Sequence, residues 1–135
     1  MSAWCRATLI AMCAALACHF AFSAAMLAVS SAHRMEVVST YFALLAAVAG
    51  FAGWRTVRLG YATWAGAFAG AAAIGGMFVL FFAVNAGITG SLSHGPGGVP
   101  LGRAALGLLV LTIIAMSMGL LGGLLAKRGR HASAT

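Results

Sequence analysis

The chain has 135 residues, of which 63% are hydrophobic and 7% are charged, and its mean hydropathy is +1.04. Soluble globular domains carry about 25% charged and about 45–50% apolar residues, so this composition excludes both a soluble domain and a disordered chain. A membrane-spanning helix needs roughly 20 apolar residues, so the length accommodates four spans with short connections but no additional extramembrane domain.

Four apolar runs follow one another along the chain, and each is long enough to cross a bilayer as a helix. They cover residues 7–29, 37–54, 62–88 and 104–126. Polar or basic residues end the first two runs, and a Gly/Pro-rich segment separates the third from the fourth. Because the runs are continuously apolar instead of alternating, they favour helices over a β-barrel. The predicted fold is an all-α integral membrane protein, a single-domain bundle of four transmembrane helices.

The distribution of basic residues predicts the orientation of these spans. Six of the eight Lys and Arg residues fall on one side of the predicted membrane, and two fall on the other. The first group is Arg6, Arg55, Arg58, Lys127, Arg128 and Arg130, and the second is Arg34 and Arg103. Since positive charge accumulates on the cytoplasmic side, both termini are predicted to be cytoplasmic.

The basic tail, residues 127–135, is then expected to lie against the membrane surface. Lys127, Arg128 and Arg130 are adjacent to the last span, where each charge near an anionic headgroup contributes about 1 kcal/mol. Contact with lipid headgroups accounts for the positive charge of this segment, so no nucleic-acid partner is expected. The bias towards Ala, Gly and Arg is typical of a GC-rich genome, and we expect a bacterial inner-membrane protein.

A cleaved signal peptide is the alternative for residues 1–32. The small residues at 30–32 would suit a cleavage site, and cleavage would leave three spans with the new N-terminus outside. The first apolar run is much longer than the 7–15 residues of a signal-peptide core and is preceded by a single Arg. These features favour a retained first span.

Small residues recur at four-residue spacing in the spans. Gly66 and Gly70 form such a step in the third span, and Gly119 and Gly123 form another in the fourth. Helices in lipid approach closely where such residues face one another. We therefore predict that these glycines pack helices together, within the bundle in preference to a seam between copies.

Glu36 is the only carboxylate in the chain. A single carboxylate excludes paired-carboxylate catalysis, a two-metal site and a Ser-His-Asp arrangement within this chain. Glu36 falls at the predicted start of the second span, where the helix dipole and a solvated pairing with Arg34 or His33 would stabilise it. The alternative function for Glu36 is a proton or cation site.

Two polar residues fall within predicted spans. His19 lies near the middle of the first span, where an ionisable group needs a partner, and that partner is expected on another span. As a haem ligand it would need a second axial group from another subunit, because no other span contains a His. Asn85 in the third span is expected to bond Thr112 or Ser117, or to line a polar pathway with His19 and Glu36.

Three four-span families are comparable in length, and none is assigned. The chain lacks the first-span Glu of the small multidrug exporters and the Thr/Phe-rich filter of the fluoride channels. Arg103 near the fourth span and Tyr41-Phe42 after Glu36 are similar to membrane-bound glutathione-handling enzymes. The Arg and Asn motif that precedes the Glu in those enzymes is not present in residues 31–35, and the spacing from Glu to Tyr differs.

These observations predict a small non-catalytic membrane protein, an accessory or anchoring subunit of a larger membrane complex. Its expected partners are lipids and either other subunits or further copies of itself, and no cofactor is expected. An oligomeric transporter or channel component for a small solute or ion is the second interpretation, and a glutathione-handling enzyme is the third.

We expect the protein to remain in vesicles during alkaline carbonate washing, because roughly 20 apolar residues per span hold it in the bilayer. Labelling of tags at the two ends should place both on the same face, since an even number of spans returns the chain to its starting side. Ends on opposite faces would overturn the four-span topology.

Overall fold

A computed structural model describes residues 2–89 and 101–132. The backbone alone is described for Asn85, Thr89, Leu101, Ala104 and residues 130–132. The helices are α1 (Ala3–Ala28), α2 (Arg34–Arg58), α3 (Thr63–Thr89) and α4 (Leu101–Ala132), with one 3-10 turn at Ser31–His33. All four are long and apolar enough to cross a membrane. The described ranges contain no strand, which confirms the all-α prediction and its four long apolar helices.

The helices extend beyond the predicted apolar runs. α2 begins at Arg34, so that Glu36 lies in its first turn, and α4 continues through the basic segment as far as Ala132. A helix does not have to stop where apolar residues stop, because its backbone hydrogen bonds continue, and cations near a helix C-terminus interact favourably with the dipole. The turn after α2 contains Gly60, whose φ of +96° is in the region that favours glycine.

Helices α2, α3 and α4 meet backbone to backbone. Gly53 of α2, Gly66 of α3 and Gly119 of α4 lie at one junction: a Cβ added to Gly66 would be 3.1 Å from the carbonyl oxygens of both Gly53 and Gly119. A Cβ on Gly53 would overlap the Gly119 carbonyl, and a Cβ on Gly122 would overlap the Gly50 carbonyl. These three helices therefore form the centre of the bundle, and hydrogen atoms in place of side chains permit their spacing.

Helix α1 lies at the edge of this three-helix centre. It contacts α2 and α3, and within the described ranges it has no contact with α4. Its buried residues are Ala7, Ala11 and Ala15, one per turn on a single face. The sulfur of Met12 extends this contact, lying 3.1 Å from where a Cβ of Gly76 would be. The alanine face and the partly buried Met12, Leu16 and Phe22 beside it thus attach α1 to the rest of the molecule.

We expect Gly53→Ala to lower the free energy of unfolding by about 1–3 kcal/mol, the usual effect of overpacking, because its methyl group would meet the Gly119 carbonyl. The measurement is unfolding of the detergent-solubilised protein by SDS, followed by circular dichroism. Gly87→Ala is the matched control, because no atom of the described residues lies within 4 Å of its added Cβ. In the control, the free energy of unfolding should rise by up to about 1 kcal/mol. Equal free energies of unfolding for the two variants would contradict close backbone contact at the junction.

Candidate functional site

His19 of α1 forms a hydrogen bond with Tyr41 of α2. The His19 Nδ1 atom lies 2.9 Å from the Tyr41 hydroxyl oxygen, and the donor depends on the imidazole tautomer. Ser23 is one turn further along α1 and donates to the His19 carbonyl oxygen at 3.0 Å. The ring and backbone of His19 are thus both bonded within the chain, and the ring bond links two helices.

Aromatic rings surround the His19–Tyr41 pair. Phe22 stacks on Tyr41 with ring centroids 4.2 Å apart, and Phe81 of α3 points edge to face at His19 with centroids 4.5 Å apart. Phe78 makes a second edge contact with His19 at 6.2 Å. Three helices contribute to this aromatic cluster, defined here as His19, Phe22, Tyr41, Phe78 and Phe81. A hydrogen bond in such apolar surroundings is electrostatically stronger than one in water.

The structure does not pair His19 with His33 for haem ligation. His33 lies in the turn between α1 and α2, with its Nδ1 atom 3.1 Å from the Ser30 hydroxyl oxygen. His19 lies within α1, nine residues or about 14 Å along the helix axis before α1 ends at Ala28, and His33 follows that end. Among the described residues, no group of three or more His, Cys, Asp or Glu is placed to hold a metal.

Glu36 and Tyr41 line one groove between α1 and α2, with a volume of about 410 Å³. Thr40 also lines it, and its hydroxyl donates to the Glu36 carbonyl oxygen at 2.8 Å. Of the predicted polar pathway, His19 bonds Tyr41, and Glu36 lines the same groove as Tyr41. The third, Asn85, has its side chain outside the described residues.

The hydroxyls expected to bond Asn85 donate to carbonyls of their own helix, which leaves their oxygens free to accept a second bond. Thr112 donates to the Leu108 carbonyl at 2.8 Å, and Ser117 donates to the Ile113 carbonyl at 3.0 Å. Bonds of this type satisfy a hydroxyl inside a helix without any partner on a neighbouring helix.

A second groove lies between α2 and α4 and has a volume of about 650 Å³. Phe42, Ala46, Leu106, Val110 and Ile114 are among its lining residues, and Arg103 supplies its single charge. Arg103 and Glu36 both belong to the first turns of their helices, but they line different grooves. The described side chains therefore provide one acidic and one basic groove, and not one site with both charges.

The predicted packing glycines all face other helices of the same chain. Gly66 and Gly70 face α2 and α4, and Gly119 faces Gly66. A Cβ on Gly123 would lie 3.0 Å from a Val57 methyl group. These placements describe contacts within one molecule.

The basic and aromatic residues cluster at the end of the bundle that holds the α2–α3 turn. Lys127 and Arg128 are exposed on the last turns of α4, and the side chain of Arg130 lies outside the described residues. The Arg58 guanidinium lies 5.2 Å from the centroid of the Trp54 ring. At the same end, Trp4, Tyr61 and Trp64 line a shallow pocket between α1 and α3. Such a belt suits the headgroup region of a bilayer.

No family model, curated protein or solved structure matches this chain.

Tyr41 is the site residue that the sequence analysis did not connect to His19. The sequence does contain a feature that could have linked the two residues, because α1 and α2 are antiparallel neighbours joined by a short turn. His19 lies twelve residues before the middle of that turn, Ser31, and Tyr41 lies ten residues after it, so the two are at similar depths. The similar separation indicates the depth, whereas the rotation of each helix decides whether the two side chains meet.

We expect Tyr41→Phe to lower the free energy of unfolding by about 0.6 kcal/mol, the average for interhelical hydrogen bonds in membrane proteins. The measurement is a double-mutant cycle with His19→Ala, using SDS unfolding. Tyr61→Phe, which removes a partly exposed hydroxyl at the bundle end, is the control and should show no coupling to His19→Ala. A coupling energy of zero between positions 19 and 41 would contradict a bond that holds α1 to α2.

Proposed function

We propose that this chain is an integral membrane protein with four spans and cytoplasmic termini, and that it serves as a non-catalytic accessory or anchoring subunit of a larger membrane assembly. The proposal draws support from its surface. Large apolar side chains are exposed on every helix, among them Leu27, Phe51, Phe68 and Leu125. A soluble monomer rarely exposes extended apolar surface, whereas a protein surrounded by lipid and partner helices does.

The outward face of α1 carries the proposal. Five alanines lie on it at alternating spacings of three and four residues, and all are exposed: Ala14, Ala17, Ala21, Ala24 and Ala28. Such spacing aligns residues along one side of a helix. Without a hydrophobic force between helices in lipid, close packing against small residues drives their association. The stripe runs along the flank of α1 beside its buried alanine face, and one member, Ala21, also lines the groove between α1 and α2. Its exposed side offers a surface for a helix of another protein.

The internal polar groups support a structural role. Ser39, Thr40 and Thr56 each donate to the carbonyl four residues earlier, as Thr112 and Ser117 do. Thr8 is an exception near the start of α1, where its buried hydroxyl has no partner among the described residues. Polar groups that line a solute pathway face a cavity or each other. With Ser23, six described Ser and Thr hydroxyls bond their own helix backbone, which favours a structural role over transport.

An oligomeric transporter or channel component is the second candidate function. It is favoured by one observation, the groove between α1 and α2 that brings Glu36 and Tyr41 together next to His19. In this function the alanine stripe of α1 would join identical copies, and the groove would belong to each copy.

We expect the tagged chain, extracted with a mild detergent, to migrate as a complex that contains unlike membrane proteins, identified by mass spectrometry. Ala17→Phe should release those partners, because a bulky ring prevents close helix approach, while helix content stays constant since Ala17 is exposed. Ala83→Phe, an exposed alanine on α3, is the matched control and should retain the partners. A homo-oligomer without other proteins would favour the transporter, and a monomer would overturn both functions.

A further inference from the structure

The groove between α2 and α4 lies nearer the N-terminal ends of these helices than the point where their backbones meet. Their backbones meet at Gly50 with Gly122 and at Gly53 with Gly119. Nearer the start of α4, side chains separate the two helices, and the space between them amounts to about 650 Å³. Among the residues that line this groove, the most buried are Leu45, Ile74 and Ala115. The groove therefore has a closed apolar base and opens on the outer surface of the bundle.

The groove combines apolar walls with one positive charge. Arg103 is the only charged residue among those that line it, and the sole carboxylate of the chain, Glu36, lines the other groove. Arg103 lies in the first turn of α4, where the positive end of the helix dipole also favours a bound anion. An amphiphile with an apolar chain and a negative headgroup is complementary to both features.

The length of the groove fits one leaflet of a bilayer. Arg103 and Ala115 mark its two ends on α4, and the twelve residues between these positions span about 18 Å. The hydrocarbon core of a bilayer is about 30 Å thick, so one leaflet is about 15 Å. A chain that starts with its headgroup at Arg103 would reach the closed end of the groove near the midplane.

We propose that the α2–α4 groove binds an acyl chain of an anionic phospholipid, with the lipid phosphate paired to Arg103. The site holds this lipid more tightly than the surrounding annular lipid, because the chain fills a concave apolar surface while Arg103 selects the headgroup charge. The occupant is a lipid of the leaflet on the Arg103 side. This site is separate from the alanine stripe of α1, so the proposal rests on the membrane insertion of the four helices and not on the role as an accessory subunit.

The test is a titration of the delipidated, detergent-solubilised protein with phosphatidylglycerol or with phosphatidylcholine of the same acyl chains, monitored by native mass spectrometry. We expect one retained phosphatidylglycerol per chain. Arg103→Gln should weaken its binding about fivefold, the factor that corresponds to about 1 kcal/mol for one cation near an anionic headgroup. Arg34→Gln removes the other cation of that side and should have no effect, because Arg34 does not line the groove.

A second pair of variants tests the acyl-chain part of the site. Gly107 lines the groove, and no atom of the described residues lies within 4 Å of a Cβ built there, so a Phe side chain can start at this position and extend its ring into the groove. It should abolish retention of phosphatidylglycerol, whereas Gly87→Phe, at an equally open position outside the groove, should not. Equal retention of the two lipids by the unmodified protein, equal effects of Arg103→Gln and Arg34→Gln, or unchanged retention in Gly107→Phe would each overturn the proposal.

Discussion

The contact between the backbones of α2, α3 and α4 is the constraint on which the rest of the structure depends. Gly53, Gly66 and Gly119 meet at a single junction where a methyl group on any of them would approach a carbonyl of a neighbouring helix closely. In lipid, helix association relies on van der Waals contact, and the number of such contacts rises as backbones approach. The glycine junction therefore supplies what a hydrophobic core supplies to a protein in water.

The junction lies towards one end of the bundle, and the groove between α2 and α4 lies on the other side of it. The backbones of α2 and α4 meet at the glycines, whereas the groove extends along α4 from Ala115 to Arg103. Helix α1 is outside this three-helix centre. It is attached through its buried alanine face, the partly buried side chains beside that face and the His19–Tyr41 bond, which leaves the rest of its surface exposed.

The polar residues show how much of the candidate site the sequence could predict. The composition required a hydrogen-bond partner for His19, but the sequence alone did not identify Tyr41, because the meeting of these side chains depends on the rotation of two helices. Thr112 and Ser117 illustrate the same difficulty. A hydroxyl in a helix can bond its own backbone or a neighbouring helix, and only the arrangement of the helices distinguishes these two possibilities.

By itself, the sequence determined the four long apolar helices and the small residues available for close packing. These are local properties, since the length of an apolar run and the spacing of glycines are read within one segment. The tertiary structure decided which glycines meet, that α1 is peripheral, and that Glu36 and Arg103 line separate grooves. Each of these features depends on the register and rotation of helices that are distant in sequence. Nearly uniform apolar surfaces specify neither the register nor the rotation.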